Sequence, residues 1–473
     1  MFKCGSKREP WGTEQHVDAS VDSLEVKGIA MRSMEMRIAN DACYRGMRAV
    51  DLLLHAGVSP HSRNARGSTP LHLAAFHGHA SVAAQLLSRG AAPAAPNHEG
   101  HSPLHAAAAG GGLAVARLLL SRGAAPSAAA VRLAAARGDA PMLAALAAAG
   151  GEMDEAAASL AFAEAVRRCE EGRVDGALPP LLRLVFAADL RLLLARGRSV
   201  ANVTCLRPEE EGGGYGLYDE ELAALPLTEG RVCAGGECCA ECSRIDFPSL
   251  ATREEADLFL QELELAIVPP LHQFSLMKCA FRDTRTTLHF VRLLERMRRA
   301  IAHEYGLPLR RVLPVQSFVS CFRGAQDKQG GLHADESTHA EMHYSAVLYL
   351  STHGEDFEGG TFYWNDASPA GGRERLAVPP AKGSAVVFSS GWENMHEVEP
   401  LASGTRFAVP SFFTTCAVPP ELRRAPPRDD AAVAAELQRS LVAPREAADV
   451  RHLMMEWHTL FAEDPADRPE DSA

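Results

Sequence analysis

The chain has 473 residues, with 60 acidic against 48 basic side chains and a formal charge of −12; that length predicts two or three domains with ample core. The charge balance argues against nucleic acid or an anionic membrane as main partner and is compatible with a basic or neutral polypeptide. The best membrane-span candidate, Leu181 to Leu194, is interrupted by Arg183 and Arg191 and falls short of the ~20 apolar residues a span requires. Residues 1–36 show no periodicity and are expected to form a disordered leader, and Met1 to Glu9 lack the apolar core of a secretory signal. Eleven cysteines, mostly scattered, suit a reducing compartment. A cytoplasmic or nuclear address is expected.

Residues 37–150 contain a repeat. Gly67-Ser68-Thr69-Pro70-Leu71-His72-Leu73-Ala74-Ala75 recurs as Gly100-His101-Ser102-Pro103-Leu104-His105-Ala106-Ala107-Ala108, and the offset of 33 also relates Leu87 to Leu120, Gly90 to Gly123 and Gly57 to Gly90. Thr69 or Ser102 can cap a first helix whose first turn takes Pro70 or Pro103, where no amide donor is lost. Gly90 and Gly123 suit the left-handed residue after a second helix. The pattern then decays: Leu133 to Gly138 repeats the helical part only 27 residues after Ala106 to Gly111, so one hairpin is shortened. Three or four repeats are expected, with atypical ends. A 33-residue period carrying Thr-Pro-Leu-His resembles the ankyrin repeat. That resemblance implies an all-α solenoid whose concave surface binds a protein partner. His72, His105, His77 and His79 are then not ligands; the first pair belongs to the helix-start hydrogen bonding, and Asn64 and Asn97 are turn residues.

Residues 151–230 read as a helical connector, Ala- and Leu-rich over 155–205, and a linker that breaks at Glu209 to Gly214. Residues 231–243 hold Cys233, Cys238, Cys239 and Cys242, four cysteines within ten residues. They lack the paired Cys-x-x-Cys form of a zinc site and no His follows at ligand distance. A disulfide or metal staple is expected, with zinc left open. A helix opens at Thr252, with Glu255 completing a capping box, and runs on Ala256, Phe259, Leu260, Leu263 and Ile267 until Pro269-Pro270. A second spans Leu288 to Tyr305 on Phe290, Leu294, Met297 and Ile301, ended by Gly306 and Pro308.

The stretch from Phe318 to Thr415 carries the chemistry. His333-Ala334-Asp335 is followed 61 residues after Asp335 by His396, and ten further on by Arg406. Two imidazoles and one carboxylate in this order form the ligand set that holds Fe(II) on one face and leaves opposite positions open. Between them lie alternating β-formers: Tyr344 to Leu350, Gly360 to Trp364 and Ser384 to Phe388. Short strands between Gly, Asp and Pro turns predict a small antiparallel barrel with the ligands near its mouth. Glu397 to Pro400 and Ala402 to Gly404 predict a strand end and a turn before the strand Thr405 to Val409. His339 and His343 have no paired acidic ligand and are expected on a solvent- or substrate-facing edge.

This block resembles the prolyl 4-hydroxylase type of 2-oxoglutarate- and Fe(II)-dependent dioxygenase, within the 2-oxoglutarate and iron-dependent oxygenase domain-containing family. The matching stretches are His333-Ala334-Asp335, Tyr344 to Ser351, Glu355 to Gly360, Gly391 to Glu399 and Gly404-Thr405-Arg406. The resemblance implies an α+β double-stranded β-helix (jelly-roll) domain over 244–418, backed by the two helices, so their apolar stripes are core. It implies that His333, Asp335 and His396 bind iron, that Arg406 grips the distal carboxylate of 2-oxoglutarate, and that Tyr349 hydrogen-bonds that carboxylate. Phe322 stands where many relatives have a cosubstrate-binding Tyr, so that contact is expected to be missing. A related cysteine cluster precedes the block in the family, and relatives are often secretory. O2 as cosubstrate and ascorbate as reductant follow from the same resemblance. Residues 419–473 are expected to form helical pieces near Ala431 to Leu441 and Arg445 to Phe461, then a disordered acidic end.

Two functions compete. In the first, the chain hydroxylates a polypeptide at proline and the repeats recruit it. In the second, the repeats are a binding scaffold and the barrel is an inactive remnant. The complete set His333, Asp335, His396 and Arg406 favours the first, because a remnant has no reason to keep all four.

Overall fold

The computed structural model describes residues 50, 52, 54–55, 57–208, 227–229, 242–266, 273–275, 284–323, 331–338, 342–367, 373–415 and 429–441. The expected leader, Cys233, Cys238 and Cys239, and the tail beyond 441 lie outside them. The chain divides into two compact units, Met1–Ala134 with Ala145–Gly151, and Ala135–Ala144 with Glu152–Ala473.

The first unit is built on helix pairs: α1 (Pro70–Phe76) with α2 (Ala80–Ser88), and α3 (Pro103–Gly110) with α4 (Leu113–Ser121); α5 (Ala128–Ala136) and α6 (Ala140–Ala148) follow. The repeated Thr/Ser-Pro-Leu-His does double work. The Thr69 N–H donates to His72 Nδ1 at 3.1 Å, and His72 Nε2 then reaches the His101 carbonyl of the next repeat at 2.9 Å. One repeat later, Ser102 N–H donates to His105 Nδ1 at 3.0 Å and His105 Nε2 meets Ser127 Oγ at 2.8 Å. These histidines therefore hold helix starts and staple neighbouring repeats. Asn64 Oδ1 accepts from Arg66 N and Ser68 N, and Asn97 Oδ1 from Glu99 N and His101 N, the expected turn roles. Gly90 and Gly123 take φ of 87° and 84° after α2 and α4, the left-handed conformation that only glycine adopts without strain. Leu71, Ala74, Val82 and Leu86 of one pair, and Leu104, Ala107, Val115 and Leu119 of the next, are buried. No single pair could bury that surface alone, which is why the unit is a stack.

The second unit opens with α7 (Glu155–Glu170), capped by Asp154, and α8 (Leu178–Ala195). Both pack with α10 (Thr284–Glu304), while α9 (Arg253–Ala266) starts at the predicted capping box: Glu255 N donates to Thr252 Oγ1 at 3.1 Å and Thr252 N to Glu255 Oε2 at 3.0 Å. Between α8, α9 and α10 lies a buried charge network. Arg292 makes two bonds to Asp189 at 2.7 and 2.8 Å, and Arg296 makes two to Glu255 at 2.6 and 2.7 Å and one to Asp189 at 3.1 Å. Breaking such a network from one side costs ~3–5 kcal/mol, so the connector helices are tied to the helices behind the barrel.

The barrel consists of two antiparallel sheets. The larger contains, in order, β1 (Ser199–Val203), β4 (Cys242–Phe247), β11 (Ala385–Ser389), β7 (Tyr344–Tyr349), β13 (Leu401–Thr414), β6 (Leu313–Arg323) and β5 (Gln273–Ser275), with β8 (Phe357–Gly359) on β13. The smaller has the order β10 (Arg373–Val378), β9 (Phe362–Ala367), β12 (His396–Val398). A separate hairpin pairs β2 (Leu206–Pro208) with β3 (Leu227–Glu229). The jelly-roll core between the sheets is Val347, Tyr349, Phe362, Trp364, Val386, Phe388 and Ala408.

Three local expectations are corrected. Ser199–Val203, read as part of the helical connector, is an edge strand of the larger sheet, registered Val203 to Cys242. That register brings Cys205 to Cys242 in a disulfide, so one cysteine of the cluster pairs with a cysteine outside it, and a formed disulfide departs from the reduced set expected of the scattered cysteines. Ala402 to Gly404, read as a turn, lies inside β13, where pairing with Phe357–Gly359 extends the strand through a bulge.

Candidate active site

His333 and His396 come from segments far apart in sequence and meet through an antiparallel bridge: His333 N donates to His396 O at 2.9 Å and His396 N to His333 O at 2.8 Å. Their rings lie 4.3 Å apart. Asp335, two residues on, begins the short helix α11 (Asp335–Thr338). One donor atom from each of His333, Asp335 and His396 lies within 4.8 Å of the other two. Asp335 Oδ1 is 3.6 Å from His333 Nε2 and 3.8 Å from His396 Nε2.

The tautomers suit metal binding. His333 Nδ1 bonds the Gly331 carbonyl at 2.7 Å and His396 Nδ1 the Asn394 carbonyl at 2.9 Å, so both rings carry hydrogen at Nδ1 and turn the Nε2 lone pair toward Asp335. Asp335 Oδ2 accepts from Ser345 Oγ at 2.6 Å, and Ser345 Oγ meets Ser390 Oγ at 2.7 Å. Burial, reinforced by the neighbouring His333 and opposed by Asp335, lowers His396 to about 4; its imidazole is neutral at neutral pH. The His333 side chain is 34% exposed, against 7% and 6% for Asp335 and His396, so the site opens on the His333 side.

Arg406 and Tyr349 form the second half. Across the strands Ala408 opposes Tyr349 and Arg406 opposes Phe322. Alternation places Arg406 on the same face as Ala408, which lies in the core between the sheets. Arg406 and Tyr349 are 2% and 1% exposed, and both Arg406 Nε and the Tyr349 hydroxyl are buried without a hydrogen-bond partner. Among the described residues no carboxylate pairs with Arg406; burial lowers its pKa, opposed only by Tyr349. Burial likewise raises Tyr349, against the pull of Arg406. A buried guanidinium and a buried phenol left with free donors suit a ligand carboxylate, which takes two parallel bonds from the planar guanidinium. Gly360 keeps room there: at φ 63°, a Cβ on it would stand 3.1 Å from Arg406 Cδ. Phe322, packed with Phe357 and Leu401, supplies no hydroxyl. The two halves share the core: the His396 ring contacts Phe362, Trp364 and Phe388, the side chains that also surround Tyr349.

One expectation fails. His343 is 3% exposed, its Nδ1 sits 2.7 Å from Thr415 Oγ1, and Thr415 N donates to it at 3.0 Å; it ties β7 to the end of β13 and faces no solvent edge. His339 lies outside the described residues. Sequence reasoning missed Ser345 and Arg244. Ser345 had a readable signal, a hydroxyl on the strand face that also carries Val347 and Tyr349. Arg244 had none, since its partners lie 122 to 150 residues away.

Comparison with known proteins agrees with this geometry. Residues 40–130 match ankyrin repeats in three copies, and residues 319–414 match the 2OG-Fe(II) oxygenase superfamily. The chain is 37% identical over 92 residues to mouse (Mus musculus) 2-oxoglutarate and iron-dependent oxygenase domain-containing protein 3, covering 20% of this chain and 28% of that protein. The human (Homo sapiens) counterpart is 36% identical over 92 residues, 20% and 27% of the two chains. Prolyl 3-hydroxylase 1 of Gallus gallus is 44% identical over 71 residues, 15% of this chain and 9% of that protein. The match thus spans little more than a quarter of the first of these relatives. No described helix is long and apolar enough to cross a membrane.

Proposed function

We propose that this chain, in which ankyrin repeats precede a 2OG-Fe(II) oxygenase domain, hydroxylates a polypeptide at proline and that the repeats recruit that polypeptide. The observation that carries the reading is the convergence of His333, Asp335 and His396 donors within 4.8 Å. When bound, Fe(II) with 2-oxoglutarate and O2 supplies oxidative decarboxylation to succinate and carbon dioxide, coupled to oxygen insertion into a substrate C–H bond. The chain's own residues supply the geometry. His333 and His396 offer Nε2 and Asp335 offers Oδ1, with Ser345 fixing the carboxylate's rotation. Arg406 and Tyr349 receive the distal carboxylate of the cosubstrate, and the apolar side chains around them keep water from that end. The partly exposed His333 side is where a polypeptide enters. Ascorbate serves as the reductant that keeps the iron ferrous.

Proline is the proposed target because a relative that matches 71 residues of this chain is named a prolyl 3-hydroxylase. The compartment turns on Cys205 and Cys242: a stable disulfide belongs to an oxidising compartment, two thiols to the cytoplasmic or nuclear address. The test is anaerobic addition of Fe(II) and then 2-oxoglutarate, followed by aerobic incubation with a peptide library and mass spectrometry. A metal-to-ligand absorption band and a gain of one oxygen atom at proline are expected. Absence of the band removes the oxygenase reading; a band with hydroxylation at another residue type removes the proline assignment alone.

A further inference from the structure

Arg244 lies on β4, outside the matched residues 319–414, yet it is buried against the turn that delivers the second histidine. Its Nε donates to Asn394 Oδ1 at 2.6 Å and one terminal nitrogen to the Glu393 carbonyl at 3.0 Å. Two bonds at 3.0 and 2.5 Å anchor the guanidinium to Asp366 on β9, and its carbon stacks 4.5 Å from the centre of the Trp364 ring. Three of these partners adjoin His396, and the fourth, Asp366, lies on the strand that pairs with it. Trp364 is its strand partner, Glu393 and Asn394 are the 3-10 turn leading into it, and the Asn394 carbonyl is what His396 Nδ1 donates to. The same turn is held from a second side. Asn394 Nδ2 donates to the Ser389 carbonyl and hydroxyl at 2.8 and 2.9 Å, and Leu206 N donates to Glu393 Oε2 at 3.3 Å, next to the Cys205–Cys242 disulfide.

We infer that Arg244 is a positioning residue of the metal centre: it fixes the Asn394 carbonyl and thereby the tautomer and direction of the His396 ring. The physical case is one of preorganisation. A histidine ligand is only as well aimed as the acceptor on its other nitrogen, and groups holding such acceptors typically govern metal affinity by about 10–100-fold. The Asn394 carbonyl belongs to a three-residue turn with no ladder of its own to fix it. Arg244 grips that turn through side chain and backbone at once, in the fork geometry that a lysine cannot reproduce. The flanking anchor, Asp366, belongs to the strand that pairs with His396, so Arg244 locks turn and strand to each other.

This inference rests on the metal-centre reading, and the experiment separates the two. Full-length protein is titrated anaerobically with Co(II), whose visible absorption reports coordination without turnover, for the wild type, His396→Ala, Arg244→Met, Arg244→Lys and Asp366→Asn. Arg244→Met is expected to weaken Co(II) binding by about 10–100-fold and alter the band shape. Arg244→Lys should restore part of the loss, and Asp366→Asn should weaken binding several-fold, roughly as one anchoring partner of two. At saturating Fe(II), the KM for 2-oxoglutarate should stay at the wild-type value in the Arg244 and Asp366 variants. Wild-type protein that binds no Co(II), or His396→Ala that binds it unchanged, would overturn the metal centre and this inference together. Wild-type affinity and spectrum in both Arg244→Met and Asp366→Asn would overturn the inference alone. Should Arg244→Met lose its near-UV circular dichroism, Asp366→Asn decides, since the Asp366 side chain is 43% exposed: weakened binding supports the role and unchanged binding rejects it.

Discussion

The Arg406 guanidinium carbon lies 5.6 Å from the centre of the Tyr349 ring, and each residue keeps a buried polar atom without a partner. An unpaired buried cation costs several kcal/mol, so the pocket is incomplete until an anion enters. Arg406→Ala is therefore expected to raise the KM for 2-oxoglutarate by roughly 10²-fold or more, the scale of a lost charge-assisted pair at ~2–4 kcal/mol. Arg406→Lys should do less harm, keeping charge and losing the fork. Tyr349→Phe should raise KM only about 2–10-fold, as one hydrogen bond is lost. Succinate formation against cosubstrate concentration measures all three. An unchanged KM in Arg406→Ala would move the cosubstrate pocket elsewhere in the barrel.

His333 and Asp335 lead to a sharper outcome. His333→Ala or Asp335→Ala should abolish both Fe(II) binding and succinate formation, because a three-donor set reduced to two no longer encloses a face of the metal. Ser345→Ala leaves the donors intact and frees the Asp335 carboxylate to rotate; metal affinity should fall by about tenfold. Equilibrium dialysis of iron checks each variant. Wild-type succinate production by either ligand variant would remove the iron assignment.

Much of this arrangement was legible in the sequence, for a physical reason. His333, Asp335 and His396, whose donor atoms converge within 4.8 Å, stand in short motifs that can be read along the chain, and the 33-residue repeat writes its capping and turn chemistry directly into Thr69-Pro70-Leu71-His72. Capping boxes, left-handed glycines and alternating strands depend on neighbours within a few residues. Arg244 and the Cys205–Cys242 pair depend on the order of strands in a sheet, which no local pattern encodes. His343 misled for the same reason: its position beside the ligand motif said nothing of β13 packing against it. Ser199–Val203 is exposed along most of its length and carries no alternation of burial, so nothing marked it as a strand.

The repeats and the barrel should separate functionally, but the cut must respect the charge network. A fragment beginning at Glu152 keeps Asp189 with Arg292 and Arg296 and the edge strand Ser199–Val203. It should retain 2-oxoglutarate turnover and lose affinity for the native polypeptide substrate. A fragment beginning at 230 drops Asp189 and that strand, and should express poorly or unfold at lower temperature. Substrate KM with and without the repeats is the deciding measurement. Equal affinity in the two would reject recruitment by the ankyrin unit.

The same network predicts how the second unit responds to acid. Burial alone would raise the carboxyls of Asp189 and Glu255, but the charges of Arg292 and Arg296 and their hydrogen bonds outweigh it and hold both below the ordinary range. A carboxyl depressed in the folded state binds fewer protons than in the unfolded chain. Its stabilisation is fully present above the unfolded pKa, ~4, and is lost progressively as pH falls from there toward the folded value. Unfolding temperature should thus be flat with respect to these groups from neutral pH down to about pH 5, and should drop steeply below about pH 4. Asp189→Asn removes one anion facing two buried cations, leaving Glu255 as the carboxylate that still faces both. It should cost about 3 kcal/mol at pH 7, and less relative to wild type near pH 2, where the unfolded wild-type carboxyl is protonated and the contribution of the charge has shrunk. Denaturant unfolding of both proteins at the two pH values reads the difference. A gap between them that stays constant with pH would mean that Asp189 stabilises the helices by packing and not by its charge.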